Sequence, residues 1–360
     1  MNTSITTLAA GLGLALAPAP AVSPDELAQQ YADAIRELNE KHARSPGKTS
    51  EDELAQKLPA TARKAFEQLL ASKASEELAP ALVVAAEAAI DLDLERDFEA
   101  ARAAVEKLSA EEARKLGRLV SRERFVVRGL GGLDTRYLEH FADVFGAVLE
   151  GYDEVFGFAE YSKVPGKKLR VRVHLEPKIE RPPHFAPQFP FHSEIDFPVV
   201  DAERLGSPTA DGKFLFYGLC HELGHVVAMW GDRDTEEDHH AWAHYTGVAI
   251  VEHLANEKAR AKLLDGLNDV RWRSLAKERE ALKGVGPSFE NEDGVMATLV
   301  ALHDALGPEA IGTAINSLDA GHKALRINGV RYYAFRALKK ALLEGAANDA
   351  QRKAVKDLLP

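Results

Sequence analysis

At 360 residues the chain has room for two domains, or for one large domain with additions, and 46 % hydrophobic with 28 % charged residues is ordinary globular usage. A formal charge of −11, a pI near 5.7 and the lack of any Lys/Arg cluster argue against a nucleic-acid binder that tracks phosphates. The single cysteine, Cys220, excludes an intramolecular disulfide.

Taken in chain order, residues 8–16 form a short apolar stretch, followed by Ala17-Pro18-Ala19-Pro20-Ala21 with Ala-x-Ala cleavage points after Ala19 or Ala21. No Lys or Arg precedes it, and it is too short to span a bilayer. We expect residues 1–21 to be a signal peptide, which implies a secreted or periplasmic protein without a transmembrane anchor. Residues 22–122 read as an Ala-, Glu- and Leu-rich helical region, with helices expected over 25–38, 51–58, 60–73, 75–90 and 97–120.

The texture changes at 124–128, a strand, followed by a turn through Gly129, Gly131 and Gly132 and a helix over 134–156. Asp134 stands where a dinucleotide fingerprint needs its third glycine, so a plain tight turn is expected. Residues 168–175 alternate apolar and polar, as a half-buried strand does. A Pro-rich loop is expected over 182–190, then a second strand over 193–200. Pro198 should confine that strand to a sheet edge or a bulge, and an edge beside the next helix could take an extended peptide by main-chain hydrogen bonds.

The next helix carries His221-Glu222-Leu223-Gly224-His225 inside an apolar run, with Leu219, Leu223, Val226 and Trp230 forming its core stripe. Residues four apart on a helix differ by about 40° around the axis, so His221 and His225 share a face. Two imidazoles one turn apart can both reach a zinc ion, and Glu222, about 100° away, falls beside the open position as a base for a zinc-bound water. Cys220 borders the motif and is expected to be a buried apolar thiol. A third ligand must come from elsewhere. Residues 231–234 are a turn signal, and a second helix that starts near Asp234 or Thr235 would return antiparallel to the first. Its first turns hold the candidates: His240 foremost, with Glu236, Glu237 and His239 as alternatives. His244, one turn beyond His240, could orient a ligand or be a partly exposed surface histidine.

This pattern resembles the zincin metallopeptidases, the gluzincin branch most closely. Many of those carry Glu-Gly-x-Ala-x-Tyr on the second helix, and His240-Ala241-Trp242-Ala243-His244-Tyr245 is similar in frame, with His240 in the ligand place. The chain departs from the branch in having His for Glu, Ala241 for Gly and a shorter interval after His225. The resemblance implies an α+β, mainly α fold: a zincin-like catalytic domain over 123–256 with a small mixed sheet, flanked by the helical regions 22–122 and 257–360. It implies Zn2+ on His221, His225 and His240, Glu222 as catalytic base, and hydrolysis of a peptide or protein substrate. It also makes Tyr332 or Tyr333 candidates for stabilising a developing oxyanion. Two other readings stand beside it: a non-catalytic zincin-fold binding or scaffold protein of the cell envelope, and a helical interaction protein with an incidental metal site. Beyond 256, helices are expected over 257–282, 293–306, 308–318 and 330–343.

Overall fold

The computed structural model describes residues 22–44, 51–158, 168–176, 183–188, 192–199, 210–227, 236–256, 273–320, 325–327, 330–332 and 335–359. The signal-peptide expectation for 1–21 lies outside these residues. Among the described residues, no helix is long and apolar enough to cross a membrane.

Among the described residues, six helices come first: α1 (Pro24–Arg44), α2 (Glu51–Lys57), α3 (Ala60–Leu70), α4 (Leu78–Asp91), α5 (Glu95–Leu108) and α6 (Ala110–Leu116). Leu27, Tyr31 and Ile35 recur at i, i+4 and i+8 of α1 and are buried, as an amphipathic helix requires. Ala81, Ala85 and Ala89 of α4 let neighbouring helices approach closely, and Tyr31 stacks on Phe66 of α3 at 4.6 Å. These helices have a hydrophobic core of their own, running from Leu27 to Leu116.

The single helix expected over 97–120 is broken. Ser109 leaves α5 in an extended conformation and accepts a hydrogen bond from the Glu112 N–H, which starts α6. Gly117, at φ 78°, ends it. The next four residues form strand β1 (Arg118–Ser121), which helical periodicity had concealed.

A five-stranded sheet follows, built from β1, β2 (Phe125–Leu130), β3 (Leu169–Leu175), β4 (His184–Gln188) and β5 (His192–Val199), in the order β1-β2-β3-β5-β4. The three central strands are parallel and both edge strands antiparallel. Two expectations need correction. The strand over 193–200 is an inner strand, and the edge is β4, which falls where a Pro-rich loop was expected. Pro187 is tolerated in β4 because that strand is an edge. Pro198 is tolerated inside the sheet for a local reason. The Val199 carbonyl accepts from the Glu176 N–H, so the backbone groups of Pro198 face away from β3. On that side β4 begins at His184, opposite Asp196, and among the described residues no strand asks Pro198 for a donor.

Helix α7 (Thr135–Phe156) crosses the sheet. Asp134 is its N-cap and accepts from the Tyr137 N–H at 2.7 Å, which is why an aspartate stands where a dinucleotide site would need glycine. The preceding glycines serve the turn: Gly131 and Gly132 have φ of 74° and 91°, and a Cβ on Gly129 would collide with Leu138.

The two faces of the sheet differ. Val171, Val173, Ile195, Phe197 and Val199 join the main apolar core beneath α7. The opposite face carries Arg170, Arg172, His174, Glu194 and Asp196, and it meets the N-terminal helices through ion pairs. Arg170 bonds Asp93 at 2.9 Å, Lys168 bonds Glu95 at 2.8 Å, and Arg128 forms a two-pronged pair with Glu87 at 2.6 and 2.8 Å.

Helices α8 (Ala210–Val227) and α9 (Glu236–Asn256) follow, then α10 (Leu275–Ala281), α11 (Glu292–Leu306) and α12 (Pro308–Ala320). The hairpin β6 (Leu325–Ile327) and β7 (Val330–Tyr332) precedes α13 (Phe335–Gly345) and α14 (Asp349–Leu358). Of the helix expected over 257–282, residues 257–272 lie outside the described residues and the rest is α10. The helix expected over 330–343 starts five residues later, since Val330–Tyr332 pair as a strand. Apolar residues of α7–α9 and of α10–α14 share one core with the sheet. The architecture is mainly helical with one small mixed sheet, the fold class expected.

Candidate metal centre

α8 is buried throughout the part that matters, with Leu215, Phe216, Leu219, Leu223 and Val226 in the core. It packs antiparallel to α9 at very close range. A Cβ on Gly224 would lie 2.8 Å from the Ala243 Cα, and one on Gly247 would lie 3.2 Å from the His221 Cα. The glycine inside the His-Glu-x-x-His motif is thus the point where the two backbones meet. The Trp242 indole N–H donates to the Gly224 carbonyl at 3.1 Å. Tyr152 of α7 ties the pair together: its hydroxyl bonds the Cys220 carbonyl at 2.8 Å and Thr246 Oγ1 at 3.1 Å. On the other side of α8, Gly218 faces Pro183 just before β4, so an edge strand does flank the motif helix, although it is β4 and not β5.

The motif side chains converge. One ligand atom each from His221, Glu222 and His225 lie within 4.8 Å of one another, a set that could hold a metal ion. The His221 and His225 rings are 4.9 Å apart and nearly perpendicular. His221 and Glu222 are each only 6 % exposed. Burial, then the neighbouring histidines and Arg273, push the His221 ring down to about 2, so it stands as a neutral imidazole with a lone pair to offer. Its Nδ1 lies 3.3 Å from the Tyr217 hydroxyl; with Nδ1–H donating to that oxygen, Nε2 carries the lone pair. Burial pushes the Cys220 thiol up, so it stays protonated and inert beside the site, the apolar role expected of it.

The antiparallel return of α9 brings His240 to the cluster. Its ring lies 4.6 Å from that of His221 and 6.1 Å from that of His225. His240 is not part of the set of atoms within 4.8 Å, and its Nδ1 bonds Glu292 Oε1 of α11 at 2.8 Å. Glu236, Glu237 and His239 stand in the first turn of α9, with their side chains outside the described residues. His244 meets a group that adjoins the motif: Glu278 at 3.4 Å, Arg273 at 3.3 Å and, at 5.8 Å, the ring of the same Tyr217 whose hydroxyl contacts His221. Arg273 also lies over the Tyr217 ring at 4.0 Å. Tyr333 lies outside the described residues, as does the side chain of Tyr332.

Four residues at or near the site escaped sequence reasoning: Tyr217, Arg273, Glu278 and Glu292. Tyr217 was within reach, being one helical turn before His221 on the same face. The other three arrive from α10, α11 and the residue stretch just before them, and no local pattern marks them.

No protein-family model matches the chain, and no curated protein or solved structure is significantly similar to it.

Proposed function

We propose that the chain is a zinc-dependent metallopeptidase of zincin type, hydrolysing peptide bonds with Glu222 as the base. The observation that carries this reading is the convergence of His221, Glu222 and His225 on one point of a buried helix. The donor set fits Zn2+: neutral imidazole nitrogens are suited to it, and its charge favours a buried carboxylate alongside. His221, His225 and His240 would hold the ion. Zinc, when bound, supplies Lewis acidity to a substrate carbonyl and to the attacking water.

The rest is the work of this chain's own residues. Glu222 takes the proton of the attacking water and passes it to the leaving amine. The apolar surroundings of α8 exclude bulk water and strengthen each polar contact. Strand β4, on the sheet edge beside α8, offers main-chain groups to an extended peptide. A peptide or protein substrate, a secretory route set by residues 1–21 and the absence of nucleic-acid binding belong to the same proposal.

The test is Glu222→Gln, measured for metal content and for cleavage of a peptide library. The expected result is stoichiometric zinc in both proteins and loss of hydrolysis by a factor of about 10² or more in the variant. Wild-type cleavage by the variant would overturn the base. Zinc without cleavage in the wild type would favour the non-catalytic scaffold reading.

A further inference from the structure

α9 presents His240 and His244 one turn apart, and each meets a carboxylate from the C-terminal helices: Glu292 of α11 and Glu278 of α10. The His240–Glu292 bond is the shorter, at 2.8 Å, yet the two side chains are 55 % and 43 % exposed. An exposed pair of this kind contributes little to stability. Its consequence for chemistry is larger. A carboxylate on Nδ1 selects the neutral tautomer whose proton sits on Nδ1, and the lone pair is left on Nε2. The same bond fixes the ring about its Cβ–Cγ axis, on a residue whose ring already lies 4.6 Å from that of His221.

We propose that Glu292 is the positioning residue for His240: its carboxylate accepts the Nδ1–H, sets the tautomer and holds the ring so that Nε2 is offered to the metal. The inference rests on the metal-site reading above. It gives the C-terminal region a part in the centre, since Glu292 reaches it from 52 residues beyond His240. Carboxylates that accept from a ligating histidine orient the ring and raise its basicity, and their loss typically weakens metal binding 10- to 100-fold, roughly. The competing role is local. Glu292 opens α11 directly after the N-cap Asn291, where an acidic residue favours the helix terminus. That role would affect stability and leave metal affinity alone.

The experiment is a zinc titration of the full-length, chelator-stripped protein in competition with a fluorescent chelator, repeated with cobalt(II) for its visible absorption. The variants are Glu292→Ala, Glu292→Gln, His240→Ala, His221→Ala and the double Glu292→Ala/His240→Ala. We expect Glu292→Ala to bind zinc about 10- to 100-fold more weakly and to alter the cobalt spectrum. Glu292→Gln, which keeps an acceptor oxygen, should recover most of both. The double variant should be no weaker than His240→Ala alone, because the two residues act through one ligand.

Wild-type affinity in Glu292→Ala alongside weakened binding in His240→Ala overturns the positioning role and leaves the metal site standing. Additive losses in the double variant overturn it as well, as does a loss that Gln fails to recover and that tracks lowered stability of the metal-free protein. Full affinity in His240→Ala with loss in His221→Ala removes His240 as ligand, and the inference with it. A wild-type protein that binds no zinc refutes the metal reading itself.

Discussion

Gly224 is the tightest constraint in the centre, and its replacement by alanine is a sharp test of the helix crossing. In an isolated helix the change would stabilise, by roughly 0.5–1 kcal/mol. Here the added Cβ would lie 2.8 Å from the Ala243 Cα and 3.2 Å from the Ala243 carbonyl oxygen, and it would collide with Thr246 Oγ1. Ordinary contact begins at 3.4 Å, so the α9 backbone must retreat by about 0.6 Å, the difference between 3.4 and 2.8 Å. Thr246 has no easy escape, because its hydroxyl bonds the Trp242 carbonyl at 3.0 Å and receives the Tyr152 hydroxyl at 3.1 Å. Overpacking of this sort costs about 1–3 kcal/mol. Net of the propensity gain, Gly224→Ala should lower stability by up to about 2.5 kcal/mol. The same retreat moves His240 relative to His221 and should weaken metal binding. The assay is urea unfolding followed by circular dichroism, with zinc titration beside it. Gly146 of α7 is the control: its nearest neighbour to a new Cβ is 3.9 Å away, so Gly146→Ala should stabilise by roughly 0.5–1 kcal/mol. A Gly224→Ala protein as stable as wild type, with unchanged zinc affinity, would refute the crossing as described.

Two further predictions concern the charged face of the sheet. Arg170→Ala leaves Asp93 buried without its guanidinium partner and should cost about 3 kcal/mol, the low end for a broken buried pair, since the Lys168 N–H still reaches Asp93 at 3.3 Å. Arg96→Ala, at an exposed pair with Asp52, should cost less than about 0.5 kcal/mol, and equal losses in the two variants by urea unfolding would contradict the role of burial. Asp196 supplies the acid dependence. Burial pushes its carboxyl up, but the His174 ring and the Arg172 guanidinium outweigh that and bring it down from 3.8 to about 2. A carboxyl whose pKa is lowered by folding contributes stability that is complete above about 3.8 and is lost as the pH falls through about 2; here it amounts to about 2 kcal/mol. Asp196→Asn should therefore lose stability at pH 6 and show a shallower loss between pH 4 and 2 than wild type; parallel acid curves would rule the pair out as the cause.

Much of this protein was legible because the relevant signals are local. The apolar run with His221 and His225 four apart needed only helical geometry to put both rings on one face. Asp134 announced a helix start by its type and place, and the alternation over 168–175 announced β3. What failed did so where a local signal pointed the wrong way. Prolines hid the edge strand β4 and made inner β5 look like an edge, because whether a missing N–H matters depends on what lies alongside. The run over 97–120 kept a helical composition through Ser109 and Gly117, whose cap and positive φ divide it.

By itself, then, the sequence determined the helix that carries the histidines and the acid, since periodicity and spacing act over a few residues. It also placed α9 and His240 next in line. Only the tertiary structure decided that Gly224 is the contact point of two backbones, that Arg170 and Arg128 reach back to the N-terminal helices, and that Glu292 meets His240. Such contacts join residues far apart in the chain, and their geometry is set by how whole helices and strands pack, which no short stretch of sequence encodes.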